Sequence, residues 1–142
     1  MATLTVTIKE ELNLNGAERG STNTIDITGI TQLDHRIVKV GTVEQSLVLF
    51  DTSEAAGQFA DNSVDYVRIT NLDTTNYITL RMTSADKEYF AKIAAGDSFM
   101  LFEAVMDADD DAGAAVASLA NIDSIKAVAN AASCNVELFI AA

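Results

Sequence analysis

Asp65-Tyr66-Val67-Arg68-Ile69-Thr70, then Asn71-Leu72-Asp73-Thr74-Thr75-Asn76, then Tyr77-Ile78-Thr79-Leu80-Arg81-Met82 is the stretch that decides the fold. Successive side chains of a strand point to opposite faces, so Val67 and Ile69 share one face while Arg68 and Thr70 share the other. The same alternation sets Ile78 and Leu80 against Thr79 and Arg81. Two half-buried strands are predicted. The Asn and Asp between them tolerate left-handed backbone and bond their own main chain, which predicts a turn, and the whole reads as a β-hairpin.

Outward from it the pattern repeats. Thr3, Thr5 and Thr7 alternate with Leu4, Val6 and Ile8, an N-terminal strand in β-favouring residues. Further strands are predicted over 22–30, 36–41, 45–50, 89–93, 98–102 and 136–141. Short strands at short spacing predict an all-β protein, an antiparallel β-sandwich or jelly roll with little helix. Asp51-Thr52-Ser53-Glu54 allows one helical turn at most, weakened by Gly57. Residues 104–142 hold 13 of the 22 alanines. There the Ile122, Ile125, Val128 spacing permits a helix, but Ile125, Ala127 and Ala129 alternating with Lys126, Val128 and Asn130 favours a strand. The inward faces are expected to carry Leu4, Val6, Ile8, Val67, Ile69, Ile78, Leu80, Phe99, Leu101, Leu138 and Ile140.

At 142 residues, 49% of them hydrophobic, the chain suits a single β-sandwich domain over 1–142 that can bury a core without staples. Residues 1–10 are open to a second reading, a strand exchanged with a neighbour's sheet edge. Nine Lys plus Arg against 21 Asp plus Glu give a net charge of −12, with no basic cluster, which disfavours nucleic acid and anionic membrane as partners. The start of the chain lacks the basic and apolar segments of a signal or transit peptide, and no apolar run reaches membrane-span length. Synthesis in a cytoplasm is expected.

Reactive groups are few. His35 lies in Asp34-His35-Arg36, where a strand would point Asp34 away from the imidazole, so a surface or turn histidine is expected. Cys134, between Ser133 and Asn135, has no local cation to activate it and reads as a partly buried inert thiol. One His and one Cys cannot fill a tetrahedral zinc site. The seven glycines form no phosphate loop. Asp107, Asp109 and Asp111 copy the first ligands of a calcium loop, but Ala112 stands where Gly must turn and Ser118 where a bidentate Glu is needed, so a solvated acidic loop is expected. No catalytic, cofactor or metal residue is assigned, no cofactor is expected, and the chain reads as a non-enzyme.

Tyr66-Val67-Arg68-Ile69-Thr70-Asn71-Leu72-Asp73 with Asn76-Tyr77-Ile78-Thr79-Leu80-Arg81 resembles a segment of small structural proteins of tailed bacteriophages. Phe90-Ala91-Lys92-Ile93-Ala94-Ala95-Gly96-Asp97-Ser98-Phe99 and the ending Val136-Glu137-Leu138-Phe139-Ile140-Ala141 extend the resemblance over residues 64–142. It implies a β-sandwich or jelly-roll virion component, first of all a capsid decoration (cement) protein that sits on the outer shell as a homotrimer and binds the major capsid protein or another virion protein. The alternatives are a head-tail or tail component and a lectin-like binding module.

Overall fold

Alternation with period two becomes strand almost everywhere. The computed structural model describes every residue except 56, 62, 85, 86, 104 and 107–119, and the described residues form strands and turns without a helix. They divide into two units, Met1–Gln32 and Leu33–Ala142.

The first unit is one long ribbon of β1 (Ala2–Glu10), β2 (Asn13–Leu14), β3 (Ala17–Glu18) and β4 (Ser21–Ile30). β1 and β4 pair antiparallel, and β2 and β3 pair beyond them as the tip. Asn15 and Gly16 both have positive φ, 53° and 81°, the two-residue turn whose twist matches that of the flanking strands. Asn13 fixes it, its Oδ1 accepting from the Gly16 N–H at 3.1 Å and its Nδ2 donating to Glu18 at 2.7 Å. Leu4 stands opposite Ile27 and Val6 opposite Ile25, all half-buried, while Thr5 and Thr7 on the other face bond Asp26 and Thr24. A Cβ at Gly20 would fall on the Glu10 carbonyl oxygen. Gly20→Ala is therefore expected to force the ribbon apart at Glu10 and Ser21. Amide exchange should accelerate about tenfold or more there and stay unchanged in the second unit.

The second unit contains β5 (Leu33–Val40), β6 (Gln45–Asp51), β7 (Gln58–Ala60), β8 (Tyr66–Asn71), β9 (Ile78–Ser84), β10 (Lys87–Ile93), β11 (Ser98–Phe102), β12 (Val105–Met106), β13 (Ala120–Asn121), β14 (Ser124–Ala129) and β15 (Cys134–Ala141). One sheet runs β10-β9-β14-β6-β7 and the other β11-β8-β15-β5, antiparallel throughout except where β7 joins β6. Setting aside β7 and the short β12–β13 pair, the eight remaining strands pair first with last, second with seventh, third with sixth and fourth with fifth. That is a long hairpin rolled over itself, the jelly-roll arrangement of a β-sandwich.

Between the sheets lies one apolar core. Val67, Ile69, Val136, Leu138 and Ile140 on one side meet Val48, Ile78, Leu80, Met82 and Ile125 on the other, all at most 2% exposed. Residues 124–129 form a strand, with Ile125, Ala127 and Ala129 pointing inward. β14 runs centrally, between β9 and β6. Phe99 and Leu101 pack against the core as partly buried residues.

Two expectations are corrected. Leu4, Val6 and Ile8 do not belong to this core; they form the half-buried face of the ribbon. Residues 65–82 are not a hairpin either, because β8 pairs with β11 and β15 while β9 pairs with β10 and β14. The segment between them crosses from one sheet to the other. Its chemistry explains why: Asp73 Oδ1 accepts the Thr75 and Asn76 N–H groups, and the Leu72 N–H donates across to the Asn135 carbonyl rather than back toward β9. The backbone bonds from Asn76 and then Thr75 draw the Asp73 carboxyl below the usual carboxylate range.

Candidate functional site

The two outer faces of the sandwich differ in kind. On the β10-β9-β14-β6 sheet, Arg81 projects outward and is held by both oxygens of Glu44 and, at 2.6 Å, by Glu88. The Glu44 carboxyl is lowered chiefly by its bond to Arg81. Lys92 lies 4.4 Å from the Tyr77 ring centroid. This face carries satisfied charges, with the exposed Phe90 opposite Arg81 among them.

On the outer face of β11-β8-β15-β5, apolar and aromatic side chains gather at the Tyr66 end. The register aligns Leu33, Ala141, Tyr66 and Phe102 in one row across it, and His35, Phe139, Arg68 and Met100 in the next. Tyr66 packs on Phe102 and Phe139 with centroids 5.2 and 6.1 Å apart, and the His35 ring lies 5.5 Å from Phe139. Leu33, Ile37, Met100 and Phe102 are exposed. Burial beneath its neighbours pushes the Tyr66 hydroxyl up, against a smaller opposing pull from Arg68.

Glu137, on β15, is the polar centre of this face. One oxygen lies 2.8 Å from His35 Nε2 and the other accepts from Arg68 Nη1 at 2.7 Å. The His35 bond first and the Arg68 bond second hold the Glu137 carboxyl below its ordinary value, although burial opposes them. A lowered folded-state value means that the stabilisation is complete above the unfolded value, about 4.3 for Glu, and is lost as pH falls through the lowered one. Urea midpoints should therefore fall as the pH is taken down through and below about 4.3. Glu137→Gln should weaken the neutral-pH protein by about 1 kcal/mol and remove its own part of the acid loss.

The sequence-predicted residues fall as follows. His35 is a surface histidine as expected, on a strand rather than in a turn, and its partner is Glu137, 102 positions away, whereas Asp34 pairs with Arg36 at 3.3 Å. Cys134 is fully buried with its thiol 3.5 Å from the Ala132 carbonyl, and burial pushes its pKa up, the opposite of activation. The Asp107, Asp109, Asp111 loop, with Ala112 and Ser118, lies outside the described residues. Among the described residues no cluster of three His, Cys, Asp or Glu is placed to hold a metal ion. Arg68 and Glu137 were visible in the sequence only as outward strand positions, because nothing local to either announces their pairing. What the arrangement can do chemically is bind: an aromatic, apolar cluster lies beside one fixed ionic group, and such faces suit contact with another protein. No family model, curated protein or solved structure matches this chain.

Proposed function

We propose that the chain is a structural protein of tailed-bacteriophage virions, and within them a capsid decoration protein that binds the outer shell as a homotrimer and braces neighbouring capsomers. The observation that carries this reading is the exposed apolar face of β11-β8-β15-β5 around Glu137, set on a jelly-roll sandwich. Jelly rolls serve as viral shell domains as well as lectins. The resemblance of residues 64–142 to phage structural proteins selects the first. Packaged DNA presses the shell outward, and added interface between capsomers opposes rupture, each 100 Å² of apolar burial contributing roughly 2.5 kcal/mol before ordering costs. The net charge of −12 limits unwanted contact with nucleic acid.

The test is removal of the coding gene from the virus that carries it. Heads should still form but rupture at lower temperature, and adding the purified chain back should restore their stability. Particles without tails, or heads that never close at the portal, would move the chain to the head-tail or tail machinery. Heads of unchanged stability would reject decoration and leave glycan binding as the reading to examine.

A further inference from the structure

The edge of the sheet that carries the aromatic face is the starting point. β5 is its outermost strand, eight residues long, and no described strand pairs with its outer edge. Sheet edges recruit further strands unless they are shortened or charged. Of the other edges, β7 has three residues and β11 five, and β10 has seven, exposing Tyr89 and Phe90 beside the charged Lys87, Glu88 and Lys92. β5 is the longest of these edges, and it exposes Leu33 at 60% and Ile37 at 64% beside Asp34 and Arg36, whose opposite charges can meet across a two-fold axis. Its far end is closed, because the Gln45 carboxamide donates to the Lys39 carbonyl and accepts the Gly41 N–H. The open stretch is residues 33–38.

We infer that β5 pairs antiparallel with β5 of a second copy about a two-fold axis at His35, joining two four-stranded sheets into one of eight. The inference does not depend on the virion reading. In a two-fold pairing residue i meets residue j and j meets i, so one sum of residue numbers defines each register. An axis at His35 sets Leu33 against Ile37 of the second copy on the outer face, twice, and Asp34 against Arg36 on the inner face, twice. Apolar meets apolar at Leu33 and Ile37 and carboxylate meets guanidinium at Asp34 and Arg36, while the two His35 rings face each other at the axis, each bonded to the Glu137 of its own chain.

The neighbouring registers fail. An axis at Arg36 opposes two guanidinium groups, and one at Asp34 opposes two carboxylates. An axis at Ile37 needs the Lys39 carbonyl that Gln45 already occupies at 3.2 Å. Axes between residues would place outward side chains of one strand on the inward face of the other. Within one copy Arg36 already reaches Asp34 at 3.3 Å and the Leu47 carbonyl at 2.7 Å, so its guanidinium is held at this edge before the second copy arrives.

Light scattering of the full chain, 15.1 kDa per copy, reads the result. The association should be even-numbered at tens of micromolar: pairs, or sixes if a three-fold contact operates through another surface. Asp34→Arg and Arg36→Asp should each weaken the pairing about tenfold or more, and the double swap, which restores opposite charges across the axis, should recover it. Ile37→Lys, at a position already mostly in solvent, should also dissociate the pair and guards against a charge variant that does not fold. A single copy, three copies and no more, wild-type association in all the variants, or a folded double swap that stays dissociated would each overturn the inference.

Discussion

Leu138→Ala is expected to remove about 3–4 kcal/mol of stability, a large share of the roughly 5–15 kcal/mol that holds a domain of this size. Leu138 is fully buried on β15, which pairs with β5 on one side and β8 on the other, where it stands beside Ile69. A strand held on both sides cannot shift to fill the space, so the loss combines apolar transfer with a cavity that stays open. The urea midpoint should fall with an unchanged slope. Leu72→Ala, at a residue 44% exposed, should move it by about 0.5 kcal/mol or less. A Leu138 loss below about 1 kcal/mol would mean that the two sheets do not meet there.

Asn71→Leu is the second large effect, about 2–4 kcal/mol, and it acts through hydrogen bonds rather than volume. Asn71 ends β8 completely buried. Its carboxamide nitrogen shares two protons among the carbonyls of Asn76, Ile93 and Ala94, at 2.8, 3.3 and 3.1 Å. Its oxygen accepts the Asp73 N–H at 3.1 Å. One side chain thus fastens the crossing after β8 to the turn after β10. Leucine would fill the volume and strand those carbonyls without a donor, a desolvation cost with no compensating bond. Asn71→Asp separates the two contributions: a buried carboxylate facing three carbonyl oxygens should be worse at pH 7, and should recover partly in acid, where a protonated carboxyl donates again. Equal stability of the leucine variant and the wild type would show that water reaches these carbonyls.

The strands were legible because alternation is local. Val67, Ile69, Ile78, Leu80, Leu138 and Ile140 could be assigned inward from their spacing alone, and they are inward. Pairing was not legible in the same way. Residues 65–82 satisfied the hairpin pattern, yet an identical pattern serves a crossing between sheets when the connecting residues bond away from both strands, as Leu72 does to Asn135. The Asn15-Gly16 dipeptide was a strong local signal for the ribbon turn, and it accounts for a separate unit that strand alternation in residues 3–8 did not distinguish from a sandwich strand. The Glu137 cluster depends on register between β5, β8 and β15, so its members lie 69 and 102 positions apart and no window of sequence contains them together.

The first-to-last strand pairing also sets the order of events in time. β5 cannot complete its sheet until β15 exists, so a ribosome must finish almost the whole second unit before either edge of that pair is satisfied. Closing such distant ends is entropically costly, and sandwiches of this kind fold on the order of milliseconds to seconds rather than microseconds. During synthesis the β8 and β9 segments wait with Val67, Ile69, Ile78 and Leu80 in water. Nascent chains therefore carry their greatest aggregation hazard until β15 has emerged, and a stop codon placed before Cys134 should yield insoluble product rather than a trimmed domain.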